Sequence, residues 1–131
     1  MSARETAAER GFRTDIIADA WSNEAFRRVL LTGEHEQVVV MTIQPGGEIG
    51  DEVHPDTDQL LVFLDGRCEA RLDGVTSEVG PNDLVFVHAG TRHNFVNVGD
   101  TELRLITVYA PPEHAPGTVH ETKAEADAEE H

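Results

Sequence analysis

Glu52 and His54 stand two residues apart, and on a β-strand that spacing puts a carboxylate and an imidazole on one face. Gln59 opens the next strand after a Pro-Asp-Thr-Asp corner, and His93 follows a Gly-Thr turn on a later one. One carboxylate, two imidazoles and one amide oxygen, drawn from three strands, make a ligand set for a divalent metal ion. With a dication bound, the set leaves a single net positive charge. Oxygen ligands suit harder ions, so manganese, iron or zinc is expected rather than copper.

Such ligands need a scaffold of short strands. A chain of 131 residues supports one domain with one core. Its apolar runs are short and broken by turn residues roughly every 8–12 positions, the rhythm of a sandwich or barrel. Strands are expected at 26–31, 37–43, 48–54, 60–64, 67–72, 75–79, 84–87, 92–97 and 103–109, with no long amphipathic helix. Asp65-Gly66 and Asp73-Gly74 read as hairpin turns. The class is all-β. Residues 1–23 read as an N-terminal segment, frayed over 1–11, followed by a barrel over 24–110. Residues 111–131 read as a proline-stiffened arm and an acidic, mostly disordered tail, the arm folding over a barrel opening or reaching a neighbouring subunit.

Two blocks of sequence carry a resemblance. The first runs from Gly46-Gly47 through Glu52, His54 and Gln59 to Gly66; the second from Asn82-Asp83 through Gly90 and His93 to Asn97. Together they resemble the paired motifs of the small single-domain cupins, whose fold is a double-stranded β-helix, or jelly-roll barrel. The resemblance implies that Glu52, His54, Gln59 and His93 are the metal ligands. Glu52 stands where the family has its first histidine, and Gln59 where it has its glutamate; some cupins acting on uronic-acid sugars also carry glutamine there. Each has a plainer reading too: Glu52 as a solvent-facing strand residue, Gln59 as a hydrogen-bond partner of the barrel wall.

Other residues invite weaker readings. His88 replaces the proline of the second block at a barrel-mouth corner, where an imidazole has the right chemistry for an acid or base beside a metal; the alternative is a solvated loop histidine. Phe63 and Phe95 share strand faces with Gln59 and His93, and either line a substrate pocket or fill the core. Histidines 35, 114, 120 and 131 sit among turn and tail residues and read as solvated. Asn97 reads as a backbone-pairing residue at a strand end, and Cys68 as a small core residue.

Net charge is −15, with one lysine, Lys123, against nine arginines. That argues against nucleic acid or an anionic membrane as partner. No apolar run approaches the length of a membrane span, and Met1 to Arg10 lacks the apolar stretch of a secretory signal. A single cysteine fits a reducing, cytoplasmic setting. A homodimer is expected, with the strand at 26–31 crossing to the partner. The ligand set and the resemblance imply a metal-dependent enzyme acting on a small polar metabolite such as a sugar or sugar acid, of isomerase or lyase type. The alternatives are a non-heme iron dioxygenase and a non-catalytic metal- or metabolite-binding protein.

Overall fold

The computed structural model describes residues 11–129. In chain order the elements are α1 (Ile16–Ser22), β1 (Arg27–Thr32), β2 (Gln37–Ile43), β3 (Asp58–Asp65), β4 (Cys68–Leu72), β5 (Val75–Val79), β6 (Leu84–Val87), β7 (His93–Asn97), β8 (Leu103–Ala110), β9 (Val119–His120) and α2 (Lys123–Glu129). The strands form two antiparallel sheets. The larger has six strands in the order β6-β3-β8-β2-β1-β9, and the smaller has the order β5-β4-β7. This is a jelly-roll barrel, with the β-branched and aromatic residues of the inner faces packed between the sheets.

The core is built from alternate residues. Val39, Met41 and Ile43 on β2, Leu61 and Phe63 on β3, Cys68 and Ala70 on β4, Phe95 on β7 and Leu105 on β8 are buried in one cluster. Arg67, Glu69 and Arg71 point the other way, the period-two pattern that fixes register. A smaller cluster lies on the outer face of the larger sheet, where Ala20 of α1 packs on Val40 and Ile106. Asp15 caps α1 by accepting from the Ala18 N–H, and the Arg104 guanidinium donates to the carbonyls of Ala20 and Asn23 at its other end. Asn97 is buried; it donates to the carbonyls of Ile43 and Thr101 and accepts from the Gly99 N–H, joining three backbone segments.

Two expectations need correction here. Asp65-Gly66 does not turn a hairpin: β3 belongs to the larger sheet and β4 to the smaller, so this corner carries the chain between layers. Gly66 makes the crossing at φ +94°, and a Cβ there would lie 2.8 Å from the Glu102 carbonyl oxygen, closer than any side chain allows. Asp73-Gly74 does turn the β4–β5 hairpin, both residues at positive φ. The stretch 48–54 is not a continuous strand but two isolated bridges, Glu48 to Val96 and Glu52 to His93, because Gly50 at φ +124° breaks the ladder between them. The strand β1 pairs with β2 along one edge and, through Arg27 and Arg28, with β9 along part of the other.

The tail departs furthest from expectation. Residues 118–129 fold back on their own barrel: β9 pairs with Arg27 and Arg28, and Ala126 of α2 is buried in the main core. His120 is buried, its Nδ1 3.2 Å from Arg27 and its Nε2 2.9 Å from Glu129. Among the described residues, no helix is long and apolar enough to cross a membrane. His131 and most of the stretch read as frayed lie outside the described residues.

Candidate metal centre

Each ligand candidate is held by its own piece of backbone. His93 opens β7, and its backbone exchanges both hydrogen bonds with Glu52, which brings the two side chains to one place. Two residues on from Glu52, His54 is fixed where its carbonyl accepts from the Gly90 N–H. The ligand atoms of Glu52, His54 and His93 lie within 4.8 Å of one another. Gln59 sits on the inner face of β3, directly opposite Tyr109 of β8. It is 2% exposed, so its amide must find partners within the protein.

The partners decide which atoms remain available. The Thr107 hydroxyl donates to the Leu60 carbonyl and accepts from Gln59 Nε2, which turns Gln59 Oε1 toward the interior with no hydrogen bond among the described residues. His93 Nδ1 lies 2.8 Å from the Thr91 carbonyl and donates to it, which leaves Nε2 as a buried lone pair without a hydrogen bond. His54 Nδ1 lies 3.3 Å from Glu113 Oε2, and its Nε2 lies 3.2 Å from Glu52 Oε1, within ion-pair distance but not aligned as a hydrogen bond. Burying such atoms without partners is costly, and His54 and His93 each offer a ring nitrogen that lies with the Glu52 carboxylate within 4.8 Å, a grouping able to hold a metal ion.

The charges agree. Contact with Glu113, and after it Glu52, outweighs burial and pushes the His54 imidazole up to about pH 10. The Glu113 carboxyl is held below its usual range, chiefly by His54. A protonated His54 imidazole thus lies between the Glu113 and Glu52 carboxylates. Burial is the main cause raising the Tyr109 phenol, which stays protonated, and it pushes the Cys68 thiol up to about 12, so Cys68 is inert.

The centre opens into a cavity of about 360 Å³ lined by Glu52, Val53, His54, Glu113 and His114. Phe63 and Phe95 are fully buried with ring centroids 5.9 Å apart, and neither lines this cavity. His88 is exposed, its ring edge-on to Phe86 on the outer face of β6, and it too is absent from the cavity wall. The tail contributes Glu113 and His114 to this wall instead, and His114 is not solvated as read. Glu113 and His114 were missed because a proline-rich segment carries no periodicity. The usable signal was topological: β8 ends at Ala110 opposite Asp58, next to Gln59, so the chain beyond it must emerge at the ligand end of the barrel.

A jelly roll that gathers Glu52, His54 and His93 defines the class: a small barrel built around a possible metal centre. Residues 39–109 match the Cupin domain family, Cupin_2, and the chain belongs to that family. It is 43% identical over 125 residues to the uncharacterized protein YrkC of Bacillus subtilis, covering 91% of this chain and 67% of that one. The crystal structure of BH2720 from Bacillus halodurans is similar at a TM-score of 0.89 and 43% identity, over 92% of this chain and 96% of that one. KdgF from Halomonas sp. shares the fold at a TM-score of 0.63 and 20% identity, over 66% of this chain and 78% of that one.

Proposed function

We propose that this cupin binds a divalent metal ion through Glu52, His54, Gln59 and His93 and is a metal-dependent isomerase or lyase for a small polar metabolite such as a sugar or sugar acid. The observation that carries the reading is the Glu52-His54-His93 cluster, whose ligand atoms lie within 4.8 Å of one another; Gln59, whose buried Oε1 has no hydrogen bond among the described residues, is the proposed fourth ligand. An ion bound there supplies Lewis acidity that polarises a carbonyl or hydroxyl oxygen of the metabolite.

The chain's own residues do the rest. Glu113 holds a proton on His54 Nδ1 and so presents Nε2 to the centre; the Thr91 carbonyl does the same for His93, and Thr107 for the Gln59 amide. Fully buried Phe95 packs near His93, with ring centroids 6.1 Å apart, on the core side of the site. Glu113 has a side chain about a third exposed at the cavity mouth, where its carboxylate is placed to accept a proton from a bound molecule.

A second reading has its own support. Glu52, His54 and His93 make a two-histidine, one-carboxylate set, the ligand type of ferrous dioxygenases. Metal analysis of protein purified without chelators or a nickel column separates the two. Manganese or zinc, with turnover of a member of a sugar-acid panel, supports the first. Iron with oxygen uptake supports the second, and protein that takes up none of these ions would end both.

A further inference from the structure

The dipeptide Glu113-His114 is clamped from inside the barrel. Gln37, a fully buried residue of β2, accepts through Oε1 from both N–H groups of the pair, at 3.2 and 3.0 Å. Through Nε2 it donates to the His114 carbonyl at 2.7 Å and to the Thr32 hydroxyl at 2.9 Å. One side-chain amide thus satisfies three backbone groups of a segment that has no ladder of its own. Residues held this way have fixed side-chain directions, unlike those of an ordinary proline-rich tail.

Glu113 spends that order on His54. His114 has no comparable use: its Nε2 is buried and has no hydrogen-bond partner among the described residues. The ring lies edge-on to Tyr109, with centroids 5.1 Å apart, and Tyr109 meets His54 edge-on at 6.1 Å, so one phenol ring separates the two imidazoles. His114 also lines the same cavity wall as Glu52 and His54. A buried ring nitrogen without a partner, on a residue that lines a cavity, is costly unless the partner arrives with a ligand.

The groups around His114 define that ligand. Arg27, Tyr109, His120, Glu113 and Glu52 all act on it; burial and then the Arg27 guanidinium hold its pKa down, at about 4, so the ring is neutral at neutral pH. The buried Arg27 guanidinium is the strongest charge acting on the ring, ahead of the Glu113 and Glu52 carboxylates. Negative oxygen is therefore favoured on the His114 side.

We propose that His114 is a ligand-contacting residue, hydrogen-bonding through Nε2 to a carboxylate of the small molecule held at the Glu52-His54-Gln59-His93 centre. This rests on the metal-binding reading above and adds to it the class of ligand and the residue that recognises it.

Cobalt-loaded protein titrated with acetate, read by the visible cobalt spectrum, provides the test. Wild type is expected to respond to acetate. His114→Ala should bind cobalt as wild type does but weaken acetate on the order of tenfold or more, the loss of one hydrogen bond to a charged group. His114→Gln, which keeps a donor, should recover part of the loss. Unchanged acetate binding in His114→Ala overturns the inference, as does a parallel loss of cobalt affinity, which would place His114 among the metal ligands. A wild-type spectrum indifferent to acetate also overturns it. Should the alanine variant fail to fold, ¹⁵N resonances of the zinc-loaded wild type decide: the His114 Nε2 signal must move on adding acetate, and a fixed signal overturns the proposal. Wild type that takes up no metal defeats the underlying reading, whereas metal uptake with an inert His114 defeats this inference alone.

Discussion

Glu113 Oε2 sits 3.3 Å from His54 Nδ1, which makes a tail residue the orienting partner of a motif histidine. Its other oxygen accepts from the Thr57 hydroxyl at 3.3 Å, so the carboxylate is itself held in place. Glu113→Gln should weaken Mn²⁺ and Zn²⁺ binding by roughly 10–100-fold, the usual cost of losing such a partner, without unfolding the barrel. Isothermal titration measures it. Affinities equal to wild type would mean that the contact does not orient His54.

Glu52 is the only carboxylate of the ligand set, so its charge should matter more than the Gln59 amide. Glu52→Gln leaves a dication among four neutral ligands and should cost more than roughly 100-fold in affinity, beyond what outer partners contribute. Gln59→Ala should cost less, because water can replace one oxygen. The reverse order, or no loss in Glu52→Gln, would show that Glu52 faces solvent.

Proton release gives an independent check. With its pKa raised from 6.5 to about 10, His54 in the metal-free protein keeps its proton throughout the neutral range. Metal binding must expel that proton, so affinity should rise about tenfold per pH unit between pH 6.5 and 8. Titrations in buffers of different ionisation enthalpy should count about one proton released per ion. The sign reverses for the stability of the metal-free protein. A raised folded-state pKa contributes stability that is full below pH 6.5 and lost as pH climbs through about 10. Urea midpoints with chelator present should fall over that window, and a flat profile would contradict the His54 ion pairs.

Gly66 tests the corner between the sheets. Gly66→Ala places a Cβ 2.8 Å from the Glu102 carbonyl at a φ that side chains avoid, and the neighbouring contact is backbone, which cannot swing aside. A loss of about 1–3 kcal/mol in unfolding free energy is expected. Gly80→Ala, with open space around its Cβ position, is the control and should change stability little.

How far the sequence reached depended on the kind of signal. The strands β2, β5 and β6 match their expected bounds, because β-branched runs and turn residues are local features. Glu52, His54 and His93 were found because the two blocks fix which strand faces hold them. What the chain did not disclose was long-range. Whether Asp65-Gly66 closes a hairpin or changes sheets depends on partners elsewhere in the chain. The short helices over 16–22 and 123–129 are stabilised by burying Ala20 and Ala126 rather than by propensity. His114 and His120 resemble tail histidines in every local respect. Only Gln37 and Arg27, near the other end of the chain, draw them inward.

The clamp on residues 113 and 114 also imposes an order on biosynthesis. All four ligand residues leave the ribosome before Glu113, which follows His93 by about 1–4 s at ordinary rates of translation. In that interval β9 is not yet available to β1, and the cavity lacks the wall that His114 supplies. The partner that fixes His54 is thus supplied only after the motifs themselves are made.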